Sequence, residues 1–292
     1  MKMQSEIGGG SKTLLWRVLS FFLAAWGLCL PGVHAKSHDS TDERIEIKFA
    51  VREKDIDGVK ALLGLEKPNS KEVICFYETQ NRDLNSNDLI LRARYVKEKK
   101  GKDADDDDKD NGTTVKLRHK GALDREKVKE IIEAIDNKQE DGKLEKDMVI
   151  GKDVSESLSL NHPGSQADLK KVEDMPKTVQ GILDALQIKL LQMASFKWSD
   201  LKRVGPIHSQ VWKHIQIGDL GDDFTAEEWK LSREGQDDRH LLEISIKISG
   251  NKADADALGA KLVDFMTRKG FPQDTSAATK TATVLDYYLG KP

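Results

Sequence analysis

Four segments of this chain alternate between apolar residues and formal charges, and few folds can use that pattern. Side chains two apart on a strand share a face. In Arg44–Val51 (RIEIKFAV), Arg44, Glu46 and Lys48 oppose Ile45, Ile47 and Phe49. Leu89–Lys97 (LILRARYVK) sets Arg92 and Arg94 against Leu91, Ala93 and Tyr95. Thr113–Lys120 (TTVKLRHK) sets Lys116 and Arg118 against Val115 and Leu117. Leu241–Ser249 sets Glu243, Ser245 and Lys247 against Leu242, Ile244, Ile246 and Ile248. Each segment predicts a strand with one apolar and one charged face. The charged faces hold seven basic residues (Arg44, Lys48, Arg92, Arg94, Lys116, Arg118, Lys247) and two acidic ones (Glu46, Glu243). The outer face of an ordinary half-exposed sheet would mix the signs, because like charges opposed across strands repel. A curved sheet with a concave anion site, its apolar side covered by helices, accounts for the excess. That excess is local, since the whole chain has 47 Lys+Arg, 50 Asp+Glu and a net charge of −3. Global charge therefore does not point to nucleic acid as a partner.

The remainder of the chain reads as follows. Lys2, Lys12 and Arg17 precede an uncharged apolar run, Val18–Leu30, and then Pro31, Gly32 and the small-residue site ending at Ala35. This order predicts a cleaved signal peptide over residues 1–35 and a secreted or periplasmic product with no membrane span after cleavage. Residues 36–43 form a polar tail, and 44–292 the working domain. Cys29 leaves with the signal, so Cys75, in the apolar run Val73–Tyr77, is expected as a lone buried thiol. Helices are expected over Asp55–Leu65, Asp124–Asn137, from Pro176 through Leu186, and over Ala253–Lys269. Residues 98–112 form an acidic loop that lacks the glycine and bidentate glutamate of a calcium loop. Residues 122–189 are expected as a helical insert or linker, with 138–174 irregular. Strands return at Ile188–Trp198, Asp200–Gly205, Gln210–Ile217, Ala226–Leu231 and Leu241–Ser249. His119, His162, His208, His214 and His240 show no ligand spacing. The oligomeric state is not readable from the sequence.

Arginine forks onto phosphate oxygens and lysine adds point charge, so basic residues converging from several strands suit a ligand with several charges in a row. Glutamates among them suit Mg²⁺ or Mn²⁺ bridging carboxylate and phosphate. Several segments carry a further likeness: Arg44-Ile45-Glu46-Ile47-Lys48, Phe76-Tyr77-Glu78-Thr79, Leu91-Arg92-Ala93-Arg94, Thr114-Val115-Lys116-Leu117-Arg118, Lys202-Arg203 and Leu242-Glu243-Ile244-Ser245. In this order they resemble the CYTH family, the triphosphate tunnel metalloenzymes. Arg44 stands where the family's opening strand has its first Glu, and Ser245 where the late strand has its second.

The resemblance implies an α+β fold in which an antiparallel barrel or tunnel of about eight strands has helices packed outside. It implies a tri- or polyphosphate small-molecule partner. Arg92, Arg94, Lys116, Arg118, Lys202 and Arg203 would bind phosphate, and Lys48 and Glu46 would be catalytic. Glu46 and Glu243 would hold Mg²⁺ or Mn²⁺, joined by Glu228 if its strand turns that residue inward rather than Glu227. The function expected is an exported, divalent-metal-dependent phosphohydrolase acting on a triphosphate or polyphosphate compound. The alternative is a tunnel protein that binds a polyanion without cutting it.

Overall fold

The computed structural model describes residues 44–99, 111–137 and 141–291. The expected signal peptide and tail, and residues 100–110 of the acidic loop, lie outside the described residues. No helix among the described residues is long and apolar enough to cross a membrane.

The alternating segments close on themselves. Nine strands, β1 (Arg44–Val51), β2 (Ser70–Glu78), β3 (Leu89–Lys99), β4 (Gly112–Lys120), β5 (Gly142–Val149), β6 (Val154–Pro163), β7 (Lys202–Ile215), β8 (Phe224–Leu231) and β9 (Arg239–Ser249), form one closed barrel. Their order around it is β1-β5-β6-β4-β3-β2-β7-β8-β9, and β9 pairs back onto β1. Eight neighbouring pairs are antiparallel, and β1 with β5 is parallel. The barrel is therefore mixed and nine-stranded, where an antiparallel one of about eight strands was expected. The difference comes from 138–174, expected as irregular. Its β5 and β6 fill the gap between β1 and β4, so that no strand edge is left unpaired.

Among the described residues six α-helices, α1 (Ile56–Leu63), α2 (Lys129–Asp136), α3 (Gln166–Asp174), α4 (Ala185–Leu191), α5 (Lys252–Arg268) and α6 (Lys280–Leu289), accompany the barrel. Gly64 ends α1 with φ 65°, a left-handed conformation that costs glycine little. One apolar layer joins Ile45, Ile47 and Phe49 of β1 and Ile244 of β9 to Val59 of α1 and Leu262 and Met266 of α5. A second joins Val73, Cys75 and Tyr77 of β2, Leu91, Val115 and Leu158 to Ile131 of α2, Leu169 and Val172 of α3, and Leu190 and Leu191 of α4. The apolar strand faces thus point outward under helices, and the charged faces point into the barrel.

Helix α4 replaces the strand expected at Ile188–Trp198. Asp184 caps it and Gln187 completes a reciprocal capping box, which satisfies the first backbone donors. Pro176 starts a 3-10 helix, Pro176–Ile182. The two strands expected at 200–205 and 210–217 are the single strand β7, with a register shift against β2 opposite Ile74 to Phe76.

Helix α6 was not expected, and it packs against the barrel's inner side. Its Val284, Leu285 and Tyr287 are buried against Ile74, Phe76, Val204, Ile207, Trp229 and Leu231. Residues 74 and 76 alternate with the helix-covered 73, 75 and 77, so they face the interior. The C-terminal segment therefore fills one end of the barrel. Arg82 holds it there by an ion pair to Asp286 (2.8 Å) and a hydrogen bond to the Gly290 carbonyl.

Candidate functional site

The rest of the barrel interior is a cavity of about 770 Å³. Its wall takes Glu46 and Lys48 from β1, Arg92 and Arg94 from β3, and Lys116 and Arg118 from β4. Glu145 and Asp147 come from β5, Glu227 from β8, Glu243 and Lys247 from β9, and Lys280 from the first position of α6. In all, eight Lys/Arg and six Asp/Glu line it, a formal excess of two positive charges. The seven-to-two basic surplus legible in the sequence is thus mostly offset by Glu145 and Asp147 of β5, a strand that was not anticipated, together with Asp141 and Glu227.

Three cations converge on Asp147. Lys48 Nζ donates to Oδ1 at 2.7 Å, while Lys116 Nζ and Arg118 Nη2 donate to Oδ2 at 3.2 and 3.0 Å. Burial opposes the Asp147 charge, but these three neighbours outweigh it and hold the carboxyl far below its usual range. Glu145 accepts from Lys116 (2.9 Å) and Ser159 (2.9 Å). Burial opposes its charge too, and Lys116 and Lys143 bring its pKa to about 2. Glu46 lies 3.1 Å from Lys48. A carboxylate held by two lysines and an arginine occupies the kind of cradle that a phosphate group would use.

Arg92 differs. Its guanidinium projects into the cavity, yet its one hydrogen bond there is Nη2 to Thr114 Oγ1 at 3.3 Å, and no ion pair to it forms among the described residues. Burial, then the neighbouring Arg94 charge, pushes its pKa down to about 10, so it stays charged at neutral pH. A guanidinium has five donors. Arg118 Nε, also inside the barrel, is buried without a partner among the described residues. Donors left this way are costly unless a ligand or water meets them.

Three of the expected site residues stand elsewhere. Lys202 bonds Gln80 Oε1 at 2.9 Å, beyond the filled end of the barrel. Arg203 donates to the Glu173 carbonyl at 2.9 Å on the helix-covered side. Glu228 also points outward and is held by Lys60 (2.6 Å) and His240 (2.9 Å). The register of β8 against β9 instead turns Glu227 inward, directly opposite Glu243. A one-residue change of register reverses every side chain of a strand, and that was the open question at positions 227 and 228. Cys75 is buried in the outer core, where burial first of all pushes its thiol up to about 12.

No cluster of three or more Asp, Glu, His or Cys suited to a metal ion occurs among the described residues. Glu243 faces Ala50 across β1 and β9, four residues along from Glu46, which is about 13 Å at strand rise. Each of the two is also engaged by a lysine, Glu46 by Lys48 and Glu243 by Lys280 at 3.3 Å.

No protein-family model matches this chain, and no curated protein sequence matches it. Solved structures do. A Hippeastrum protein, HpAC1, named as an adenylyl cyclase and described as having a dominant triphosphatase activity, is 15% identical, with a TM-score of 0.49 over 84% of this chain and 96% of that one. A Bacillus halodurans protein named as an adenylate cyclase is 12% identical, with a TM-score of 0.48 over 82% and 96%. A Vibrio parahaemolyticus protein of the same name is 11% identical, with a TM-score of 0.40 over 84% and 99%.

Proposed function

We propose that this barrel takes up a short, multiply charged phosphate anion of the triphosphate or polyphosphate class, in the manner of a CYTH-like tunnel. Arg92 carries the reading. It is a charged fork aimed into a cavity closed on one side, with most of its donors unmet, and Arg94, Lys116 and Arg118 lie on the same wall. Glu46, Glu145, Asp147, Glu227 and Glu243, five of the six carboxylates of the wall, are each engaged by a cation. The arrangement therefore supports holding the anion rather than hydrolysing it.

The test is thermal unfolding of the purified chain with tripolyphosphate, in Mg²⁺, in Mn²⁺ and in EDTA, with phosphate release assayed in the same tubes. Ligand at 100 times its dissociation constant adds about 2.7 kcal/mol, which appears as a higher melting temperature. Arg92→Ala is expected to weaken binding at least about tenfold, because one hydrogen bond to a charged group contributes roughly 1.5–3 kcal/mol. Stabilisation with phosphate release would return the hydrolase reading, and no stabilisation in any buffer would overturn the phosphate site itself.

A further inference from the structure

Glu227 and Glu243 sit directly opposite each other on β8 and β9, both facing the cavity. Facing residues on such a pair bring their Cβ atoms within about 5 Å, where two like charges repel. Both can stay ionised only with a cation beside them, and the chain provides it. Lys280 Nζ contacts Glu227 Oε2 and lies 3.3 Å from Glu243 Oε1. The same ammonium sits over the Trp229 ring, 4.5 Å from its centroid. The other Glu227 oxygen accepts from Trp229 Nε1 at 2.7 Å and from Ser209 Oγ at 3.2 Å. Burial opposes the Lys280 charge, yet the two carboxylates raise its pKa above the ordinary lysine value. Both carboxylates are thus engaged by Lys280, and Glu227 by Trp229 and Ser209 as well.

In a metal-using tunnel a divalent ion would be expected between such facing carboxylates, and here the Lys280 ammonium already occupies that place. Mg²⁺ demands near-octahedral oxygen coordination and is bound through carboxylates that face it. Of the candidate ligands, Glu46 is engaged by Lys48, Glu228 faces outward, and Ser245 offers a hydroxyl on a strand facing Lys48.

We infer that Lys280 is a chain-borne substitute for the divalent cation, holding Glu227 and Glu243 in place so that the cavity binds its phosphate anion without metal. Lys280 acts here as a positioning residue. Because it is the first residue of α6, the helix that fills the end of the barrel also supplies the cation that Glu227 and Glu243 share. The inference rests on the phosphate reading above for its ligand, but not for its cation.

Two measurements on the full chain separate the two claims. The first is calorimetric titration with tripolyphosphate in EDTA and in Mg²⁺. Binding in EDTA at least as tight as in Mg²⁺ is expected, since Mg²⁺ also sequesters the free anion. Binding that requires Mg²⁺ would overturn the substitution. The second is Mn²⁺ binding followed by electron paramagnetic resonance, with no phosphate present. The wild-type chain is expected to leave Mn²⁺ free. Lys280→Ala is expected to bind one equivalent, lost again in Lys280→Ala/Glu227→Gln, while Lys280→Arg behaves as wild type. Mn²⁺ bound by the wild-type chain at the Glu227 and Glu243 pair would overturn the inference, even if Lys280→Ala fails to fold. Loss of tripolyphosphate binding in every buffer would sink the phosphate reading, while the Mn²⁺ result would still decide the role of Lys280.

Discussion

Asp147 sets how much of the barrel's positive charge a ligand can reach. Its carboxylate is nearly inaccessible and is shared by Lys48, Lys116 and Arg118. Asp147→Asn would leave three cations without that counter-charge, and removing one partner of a buried pair costs about 3–5 kcal/mol. The expected outcome is a lower urea midpoint for Asp147→Asn, largely restored by tripolyphosphate, with tighter binding than wild type. Unchanged stability and weaker binding would mean that the carboxylate does not occupy the ligand's cradle. Titration gives an independent check. Glu145 and Glu227 fall to about 2 from an ordinary 4.5, because Lys116 and Lys280 respectively outweigh the cost of burial. A depressed carboxyl contributes stability in full above its unfolded pKa and loses it as pH falls through the folded one. Each is worth roughly 3 kcal/mol by that shift, so urea unfolding should show stability falling steeply between about pH 4.5 and 2. A flat profile there would show that the cavity is not ion-paired. The basic residues of this network were legible because each sits opposite an apolar face that helices cover. Asp147 and Glu145 were not. In Gly142–Val149 the outward residues include Leu144, 39% exposed, and Lys146, so no apolar face marks the alternation.

Among the elements, the C-terminal helix has the largest consequence and left the weakest trace. Its sequence, KTATVLDYYL, is rich in β-branched and aromatic residues of modest helix propensity. What forms the helix is a Thr279 cap and the burial of Val284, Leu285 and Tyr287 on the inner face of the barrel. Arg82 secures its far end. The turn that presents Arg82 is built by the Glu78 carboxylate, which accepts from the backbone N–H groups of Thr79, Leu84 and Asn85 at 2.8–3.0 Å. A cation at a helix C-terminus also meets the favourable end of the helix dipole. Leu285→Ala should therefore behave as a core truncation, costing about 2–5 kcal/mol. A urea midpoint that does not move would show that α6 is only peripherally attached. Strand β6 did leave a signal, with Ser155, Ser157 and Ser159 facing in and Leu158 and Leu160 facing out, but the serines disguised the period. Helix α4 carried its capping box in plain view at Asp184 and Gln187, and the apolar run after it was ambiguous between strand and helix.

For the molecule as a whole, the filled end changes what the barrel can hold. A tunnel open at both ends lets a linear polyanion thread through and be gripped anywhere along its length. Here residues 277–281 and α6 bound the cavity on one side, and Gln273 and Asp274 join the segment to β1 by a bridge to Val51 and a hydrogen bond to the Ala50 carbonyl. The cavity runs from there toward Asn111, Asp141 and Pro163. A concave site closed on one side can receive the terminus of a chain but not its middle. Tripolyphosphate should then bind with one molecule per protein, and long-chain polyphosphate should saturate with no more than one protein at each chain end, whatever its length. Sedimentation of the protein with polyphosphate fractions of defined length reads this directly. Protein bound in proportion to chain length would mean that α6 leaves the barrel in solution, or that the anion is held on the outer surface. A constant ratio set by the ends would fit the closed barrel, and it would make the charges on the inner wall, rather than the slightly acidic exterior, the part of the molecule that recognises the ligand.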